Sequence, residues 1–308
     1  MKKFLALLLA AALMLGMTTV FAEDKPLVEI ILPGATHGWV AAVTYFADQK
    51  AKELGLNYKV LNSADPNEQA GQLEQAITDK AACVVILPHN NELNDATQMV
   101  LDAGIPVVNF DRKLDVPVTS YLAGDNRSMG VNSAKYIADK LGGKGKVVVL
   151  TCVSSGSVND ERAGGFKETI AEIAPEIEII GEYDTTTFAR EDGLATMADV
   201  LMANPEIDAV YSMDDETSIG ALQAIEEAGR TDIKAITGGG GCQEYFNMMP
   251  GKDMNIASAL YSPAMIADCV ELAAKIVAGE SVEPQVIIDA AIVDKDNVAD
   301  YLSADNPY

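Results

Sequence analysis

The sequence predicts an α/β protein with two similar lobes, each built on a parallel β-sheet. Short apolar segments rich in β-branched residues recur along the chain, amphipathic stretches separate them, and the alternation occurs twice. Alternating strands and helices favour right-handed βαβ units. Strands in such units are continuous apolar runs because helices cover both faces of the sheet.

The strand predictions follow the apolar runs in chain order. Between them, apolar residues recur three to five positions apart, as at Val40, Val43 and Phe46, which is the spacing of one helix face. The predicted strands cover residues 27–32, 58–61, 83–87, 105–110, 147–153, 177–180, 209–213, 233–236, 256–261 and 286–293.

A second strand–helix series begins after Gly124-Asp125-Asn126, where a glycine- and lysine-rich stretch leads into the strand at Val147. The strand at 256–261 and the helix after it follow the completed second series. No proline- or serine-rich linker separates the halves, so we expect more than one connecting segment between two lobes and a ligand between them.

The first 22 residues have the pattern of a secretory signal peptide. Lys2 and Lys3 precede an apolar run to Met17, and Val20-Phe21-Ala22 supplies small residues for cleavage before Glu23. The run is shorter than the roughly 18 residues that a spanning helix needs. We therefore expect a free periplasmic or secreted protein.

Charge and cysteine content exclude several classes of function. Loss of Lys2 and Lys3 with no acid changes the formal net charge from −24 to −26, and so acidic a surface repels nucleic acid and anionic membranes. The four cysteines lack C-x-x-C spacing, so we expect neither a zinc site nor a redox pair. Cys83 and Cys152 lie in apolar strand patterns, which favours buried free thiols over a disulfide.

Residues 105–112, Ile-Pro-Val-Val-Asn-Phe-Asp-Arg, are the strongest site candidate. They form an apolar strand that ends in a carboxylate followed at once by a guanidinium. Ligands of open α/β sheets bind beyond the carboxyl ends of the strands, so Asp111 and Arg112 offer an acceptor and a five-donor fork there. Such a pair suits vicinal hydroxyls.

With this segment, two others resemble the periplasmic substrate-binding proteins of sugar ABC importers, of the ribose/galactose-binding type. They are residues 159–166, Asn-Asp-Glu-Arg-Ala-Gly-Gly-Phe, and residues 209–222, which contain Asp214-Asp215-Glu216. The resemblance implies a type I periplasmic binding protein with two Rossmann-like lobes and three crossing segments. The lobes would comprise 27–125 plus 262–290 and 126–261 plus 291–308. We expect a monomer without a cofactor whose partners are a sugar or polyol and a membrane permease.

The resemblance also assigns roles in the site. Asp111 and Arg112 match a pair that binds sugar hydroxyls, Arg162 matches an arginine of the other lobe, and Asp214 matches a ligand-facing Asn or Asp. In relatives, aromatic residues cover the two faces of the sugar. Trp39 and Phe188 lie near the corresponding positions of this chain. Two further candidates are His37 and the strand-end Tyr261.

Structural alternatives stand beside these assignments. Trp39 could belong to the core, and either arginine could bridge carboxylates of the lobes. An aspartate at a strand end could cap the next helix; we assign the cap to Asp215 and ligand contact to Asp214. The pairing of two aspartates with two arginines predicts a nearly neutral site and an uncharged ligand.

One loop departs from the family pattern. Where relatives have a Gly-Phe-Asp-Gly-like sequence, this chain has Thr237 followed by four glycines. The change deletes a carboxylate and could expose N–H groups to a ligand. The ligand is therefore predicted to be a neutral monosaccharide, or a polyol or cyclitol.

An enzyme is not predicted. The chain has only His37 and His89, no G-x-S-x-G elbow, and a glycine run that matches neither a Walker loop nor G-x-G-x-x-G. A periplasmic sensor that delivers its ligand to a chemoreceptor or histidine kinase remains the alternative to transport.

Overall fold

The structure is a computed structural model that describes residues 25–35 and 38–308. The predicted signal peptide and His37 lie outside this part of the chain. Within it the chain forms two six-stranded sheets, so the predicted α/β fold with two parallel-sheet lobes is confirmed.

The first sheet has the strand order β11-β5-β4-β3-β1-β2, and all of its strands run parallel. Apolar residues fill its central strands on both faces, as the continuous runs predict. Its strands are β1 (Leu27–Pro33), β2 (Asn57–Ser63), β3 (Cys83–Ile86), β4 (Val107–Phe110), β5 (Ser120–Gly124) and β11 (Gln285–Ile288).

The second sheet has the order β12-β10-β9-β8-β6-β7, with β12 antiparallel to β10 and the other strands parallel. Its strands are β6 (Lys144–Thr151), β7 (Glu176–Asp184), β8 (Ala209–Ser212), β9 (Ala235–Gly239), β10 (Asn255–Ala259) and β12 (Ile292–Asp294).

Helices flank both sheets. We call the first sheet with α1–α3 and α9 the N-lobe, and the second sheet with α4–α8 the C-lobe. The helices are α1 (Gly38–Glu53), α2 (Pro66–Thr78), α3 (Asn94–Asp102), α4 (Asn126–Leu141), α5 (Ser157–Ile173), α6 (Arg190–Ala203), α7 (Asp215–Glu227), α8 (Gln243–Met248) and α9 (Ile266–Val277).

Three segments cross between the lobes. The first, residue 125, joins β5 to α4; the second, residues 260–262, leads from β10 toward α9; the third, residues 289–291, joins β11 to β12. Both sheets therefore point the carboxyl ends of their parallel strands at the space between the lobes.

One strand prediction was wrong, and one strand was not predicted. The predicted strand at 286–293 is two strands in different sheets, because its middle residues cross between the lobes. There, the main chain of Ala290 pairs with side chains of α4: Ser128 Oγ accepts its N–H and Asn132 Nδ2 donates to its carbonyl. Strand β5 was not predicted, because its first residue is Ser120, which is buried and donates to Glu283 O.

The four cysteines are buried and free. None of the helices in the described residues combines the length and hydrophobicity that a bilayer span requires. The same residues contain no cluster of three or more His, Cys, Asp or Glu side chains arranged to hold a metal ion.

Candidate ligand-binding site

A cleft of about 710 Å³ lies between the lobes, at the carboxyl ends of the strands of both sheets. Seven of the eight residues predicted from the sequence line it, and His37 lies outside the described residues. The structure thus brings together Trp39, Asp111, Arg112, Arg162, Phe188, Asp214 and Tyr261.

Asp111 occupies a turn directly after β4 and has the left-handed backbone conformation, with φ of +60°. Its N–H donates to Leu122 O, and Tyr121 Oη donates to its carbonyl. Tyr261 Oη donates to Asp111 Oδ1 over 2.5 Å. The second carboxylate oxygen accepts no hydrogen bond from the described residues, so Asp111 keeps an acceptor for a ligand.

Tyr261 belongs to the second crossing segment and is buried. Burial and the nearby carboxylate of Asp111 raise the pKa of Tyr261 well above its usual value. The phenol therefore stays protonated and continues to donate to Asp111. The ring also fits closely against the end of β5, since a Cβ on Gly124 would lie 2.3 Å from it.

Arg112 is exposed at the cleft wall, and its Nη1 donates to His89 O over 2.5 Å. Buried Asn109 supports this turn by donating to Arg112 O and accepting from Leu114 N, both at 2.9 Å. No ion pair involving Arg112 occurs among the described residues. The alternative that it bridges carboxylates is therefore not observed.

Arg162 is 8% exposed and comes from the first half of α5. Its Nε donates to Asn126 Oδ1 over 2.8 Å, and its Nη1 donates to Met213 O over 2.9 Å. The guanidinium lies over the Tyr261 ring, 5.0 Å from the centroid. A guanidinium has five N–H donors, so three are not used by the part of the chain that the structure describes.

The assignment of the cap to Asp215 was wrong. Asp214 has the extended backbone of an N-cap, and its Oδ1 accepts from Thr217 N over 3.1 Å. Extended backbone at the residue before the first turn is what lets a short side chain reach the free N–H groups. Asp214 therefore both caps α7 and lines the cleft.

Asp215 lies behind the cleft and is completely buried. Its Oδ2 accepts from Gly241 N, Cys242 N and Ser258 Oγ over 2.8, 2.9 and 2.9 Å. Burial outweighs these bonds and raises the pKa of Asp215 to about 7. This carboxyl holds residues 238–241, which we call the glycine loop, against the rest of the C-lobe.

Trp39 packs against core clusters of both lobes and also lines the cleft. Its Nε1 donates to Tyr261 O over 2.8 Å, and its ring stacks on Phe110 with centroids 6.0 Å apart. Phe188, from the loop between β7 and α6, is partly buried on the C-lobe side.

The backbone of the glycine loop lies at the cleft. A Cβ on Gly239 would lie 2.9 Å from Met213 O, and Gly240 has a φ of +134°. The suggestion that this loop presents free N–H groups was wrong at two positions, because Gly240 N donates to Ala259 O and Gly241 N to Asp215.

Two polar segments of the cleft were missed from the sequence. His89-Asn90-Asn91 follows β3, and a serine-rich turn, 154–157, precedes α5. His89 is held by Gln69 Oε1, which accepts from its N–H, and by Ser63 Oγ at 3.1 Å from Nε2. Both segments follow strand ends, so the rule that selected Asp111 could have selected them.

Known proteins share this architecture. The ribose import binding protein RbsB of Salmonella typhimurium is 29% identical over 300 residues, covering 96% of this chain and 99% of that protein. The xylitol-binding protein of Mycolicibacterium smegmatis is 27% identical over 252 residues, 81% and 71% of the two chains. The crystal structure of a galactofuranose binding protein aligns with a TM-score of 0.81 and 25% identity, over 92% and 100%.

The profile of the periplasmic binding protein domain family matches residues 28–281, most of the chain. That match agrees with the two lobes, the crossing segments and the cleft at the strand ends. The chain therefore belongs to the periplasmic binding protein domain family.

Proposed function

We propose that this protein captures a neutral monosaccharide or polyol in the interlobe cleft and delivers it to the permease of an ABC importer. The observation that carries the proposal is the meeting of Asp111 and Arg112 from one lobe with Arg162 and Asp214 from the other in one cleft. Import and binding proteins for ribose and xylitol among the relatives support it.

The chemistry of the cleft suits a polyhydroxylated ligand. Among the described residues Asp111 has one carboxylate oxygen in a hydrogen bond, and Arg162 uses two of its five N–H donors. Charge-assisted hydrogen bonds would hold hydroxyl groups, and Trp39 and Phe188 would cover C–H faces. A hydroxyl in the wrong orientation would leave buried donors unpaired, which is a source of stereochemical selectivity.

Charge balance favours an uncharged ligand. The Asp, Glu, Lys and Arg side chains that line the cleft in the described part of the chain are two aspartates and two arginines. An anionic ligand would be repelled by Asp111 and Asp214. A cationic ligand would be repelled by Arg112 and Arg162.

Delivery follows from closure of the lobes. A ligand that contacts both lobes favours the closed state through its differential affinity for that state. The permease would then recognise the closed state. Because the named relatives include import binding proteins, we favour transport over the sensor interpretation. The predicted signal peptide would place the protein in the periplasm.

A thermal-shift panel tests the proposed ligand class. Neutral pentoses, hexoses, polyols and inositols are compared with matched sugar acids and with amino acids. A compound present at 100 times its dissociation constant stabilises the protein by about 2.7 kcal/mol. We expect a neutral compound to raise the melting temperature and its acid counterpart not to; stabilisation by sugar acids or amino acids alone would contradict the proposal.

A further inference from the structure

The segment formed by residues 301–308 is fastened to the C-lobe by Gln243. The main-chain N–H of Gln243 donates to Tyr308 O over 2.8 Å, and its Nε2 donates to Tyr301 O over 3.1 Å. The side-chain oxygen of Gln243 accepts from Ser303 N over 2.7 Å. One residue at the start of α8 thus holds the 301–308 segment at three points.

The 301–308 segment also reaches the N-lobe. Tyr45 Oη of α1 donates to Asp305 O over 3.3 Å. The Tyr308 side chain is 4% exposed and shares a core cluster with Ala42 of α1 as well as with residues of the C-lobe. Tyr308 is therefore an aromatic side chain buried between the two lobes.

Elements of the binding site flank the Tyr308 ring on two sides. A Cβ on Gly38 would lie 3.2 Å from Tyr308 Cδ2, and Gly38 directly precedes Trp39. A Cβ on Gly240 would lie 2.7 Å from Tyr308 Oη, and Gly240 lines the cleft. Tyr308 is not among the residues that line the cleft, so it acts on the site through these neighbours.

The ring of Tyr308 lies against Gly38, and both the ring and the hydroxyl oxygen lie against Gly240. Burial and the carboxylates of Asp214, Asp215 and Glu216 raise the pKa of Tyr308 well above its usual value, so the phenol stays neutral. Within the described residues the hydroxyl has no hydrogen-bond partner. Loss of the hydroxyl should therefore cost little, whereas loss of the ring removes the packing between α1 and the glycine loop.

We propose that Tyr308 is a positioning residue of the ligand site, which sets Trp39 on the N-lobe against the glycine loop of the C-lobe. This inference rests on the proposed function of the cleft. It predicts that the surroundings of Trp39 depend on the Tyr308 ring even when no ligand is added.

Trp39 is the single tryptophan of the chain, so its emission and its quenching by acrylamide report on this position alone. We compare wild type with Tyr308→Ala, Tyr308→Phe and Tyr301→Ala. Tyr301 is the matched control, because it lies on the same segment but packs edge-on against Phe246 of the C-lobe. Tyr308→Ala should shift the emission to the red and raise the quenching constant, whereas the other two variants should match wild type.

Unchanged Trp39 emission in folded Tyr308→Ala would overturn the proposal. A shift of equal size in Tyr301→Ala would also overturn it, because loosening of the segment would then suffice, and so would a shift in Tyr308→Phe. If Tyr308→Ala does not fold, Tyr308→Leu replaces it under the same criteria. The fluorescence comparison needs no ligand. Failure of the thermal-shift panel would therefore contradict the proposed function of the cleft, whereas Trp39 emission would still test the role of Tyr308.

Discussion

At the scale of single residues, the charged side chains of the cleft each combine a structural bond with a place in the site. Asp111 accepts from Tyr261, Asp214 caps α7, and Arg162 donates to Asn126 and Met213. A structural hydrogen bond is therefore compatible with the proposed ligand contact at these residues. A buried polar side chain with several lone pairs or N–H groups can serve both.

Asp215 gives a prediction about pH. Its pKa is raised from 3.8 to about 7 by burial, so the native state holds a proton that the unfolded state loses at lower pH. The resulting stabilisation is fully present below pH 3.8 and is lost as the pH rises through 7. The loss is on the order of a few kcal/mol.

Asp215→Asn removes this titration while keeping an oxygen that can accept hydrogen bonds from the glycine loop. We therefore expect the difference in unfolding free energy between wild type and Asp215→Asn to shrink as the pH rises from 5 to 8. Urea denaturation at a series of pH values measures it. A difference that stays constant with pH would show that Asp215 does not titrate in this range.

At the scale of elements, the position of Arg162 depends on close packing of α4 against α5. A Cβ on Gly130 would lie 2.0 Å from the carbonyl oxygen of Arg162, and one on Gly165 would lie 2.5 Å from Arg127 O. The absence of side chains at these two positions lets the helix backbones touch. The position of the helix that presents Arg162 therefore depends on two glycines that do not line the cleft, Gly130 of α4 and Gly165 of α5.

Gly130→Ala should consequently destabilise the protein by about 3 kcal/mol, because a methyl group meets helix backbone that cannot move aside. Gly71→Ala is the matched control: Gly71 is also inside a helix, and nothing lies within 4 Å of the place that its added methyl group would occupy. That substitution should stabilise by about 0.5 to 1 kcal/mol through helix propensity. Thermal melts of both variants check the prediction; equal effects would contradict it.

Some of the strands could be predicted from the sequence alone, and others could not. Strands covered by helices on both faces are continuous apolar runs, so β1, β3, β4 and β8 could be located from composition. Strand β5 was not predicted. Its first residue, Ser120, is buried with its hydroxyl bonded to Glu283 O, an interaction that no local sequence pattern reveals. The division of the predicted strand at 286–293 depends on contacts with α4, which lies far away in the sequence.

Likewise, some residues of the candidate site could be predicted from the sequence, and others could not. Asp111 and Arg112 stand out because they end an apolar strand, and Arg162 and Asp214 were located by the family resemblance. The capping residue was misassigned because two adjacent aspartates have the same side chain, and only the backbone conformation distinguishes them. The contribution of Tyr308 could not be predicted, since nothing local indicates that it packs between Gly38 and Gly240.

At the scale of the whole molecule, the crossing segments are part of the site as well as the connection between lobes. Tyr261, in the second crossing segment, bonds to Asp111 of the N-lobe and lies under Arg162 of the C-lobe. Trp39 packs against core clusters of both lobes. A ligand that contacts Asp111 and Arg162 would therefore bind next to a segment that joins the two lobes.

We propose that Asp111 binds hydroxyl groups of a neutral ligand held between the lobes. Calorimetric titration of the neutral compound with the largest thermal shift, into wild type and Asp111→Asn, tests it most directly. Asparagine tolerates the left-handed conformation at this position, and its amide oxygen can accept from Tyr261, so the melting temperature should change little. The substitution replaces the remaining acceptor with an N–H₂ donor.

We predict that Asp111→Asn weakens binding by about 2 kcal/mol, or about 30-fold in the dissociation constant. Wild-type affinity in a folded Asp111→Asn protein would contradict the account, because the carboxylate at the end of β4 would then serve the structure and not the ligand.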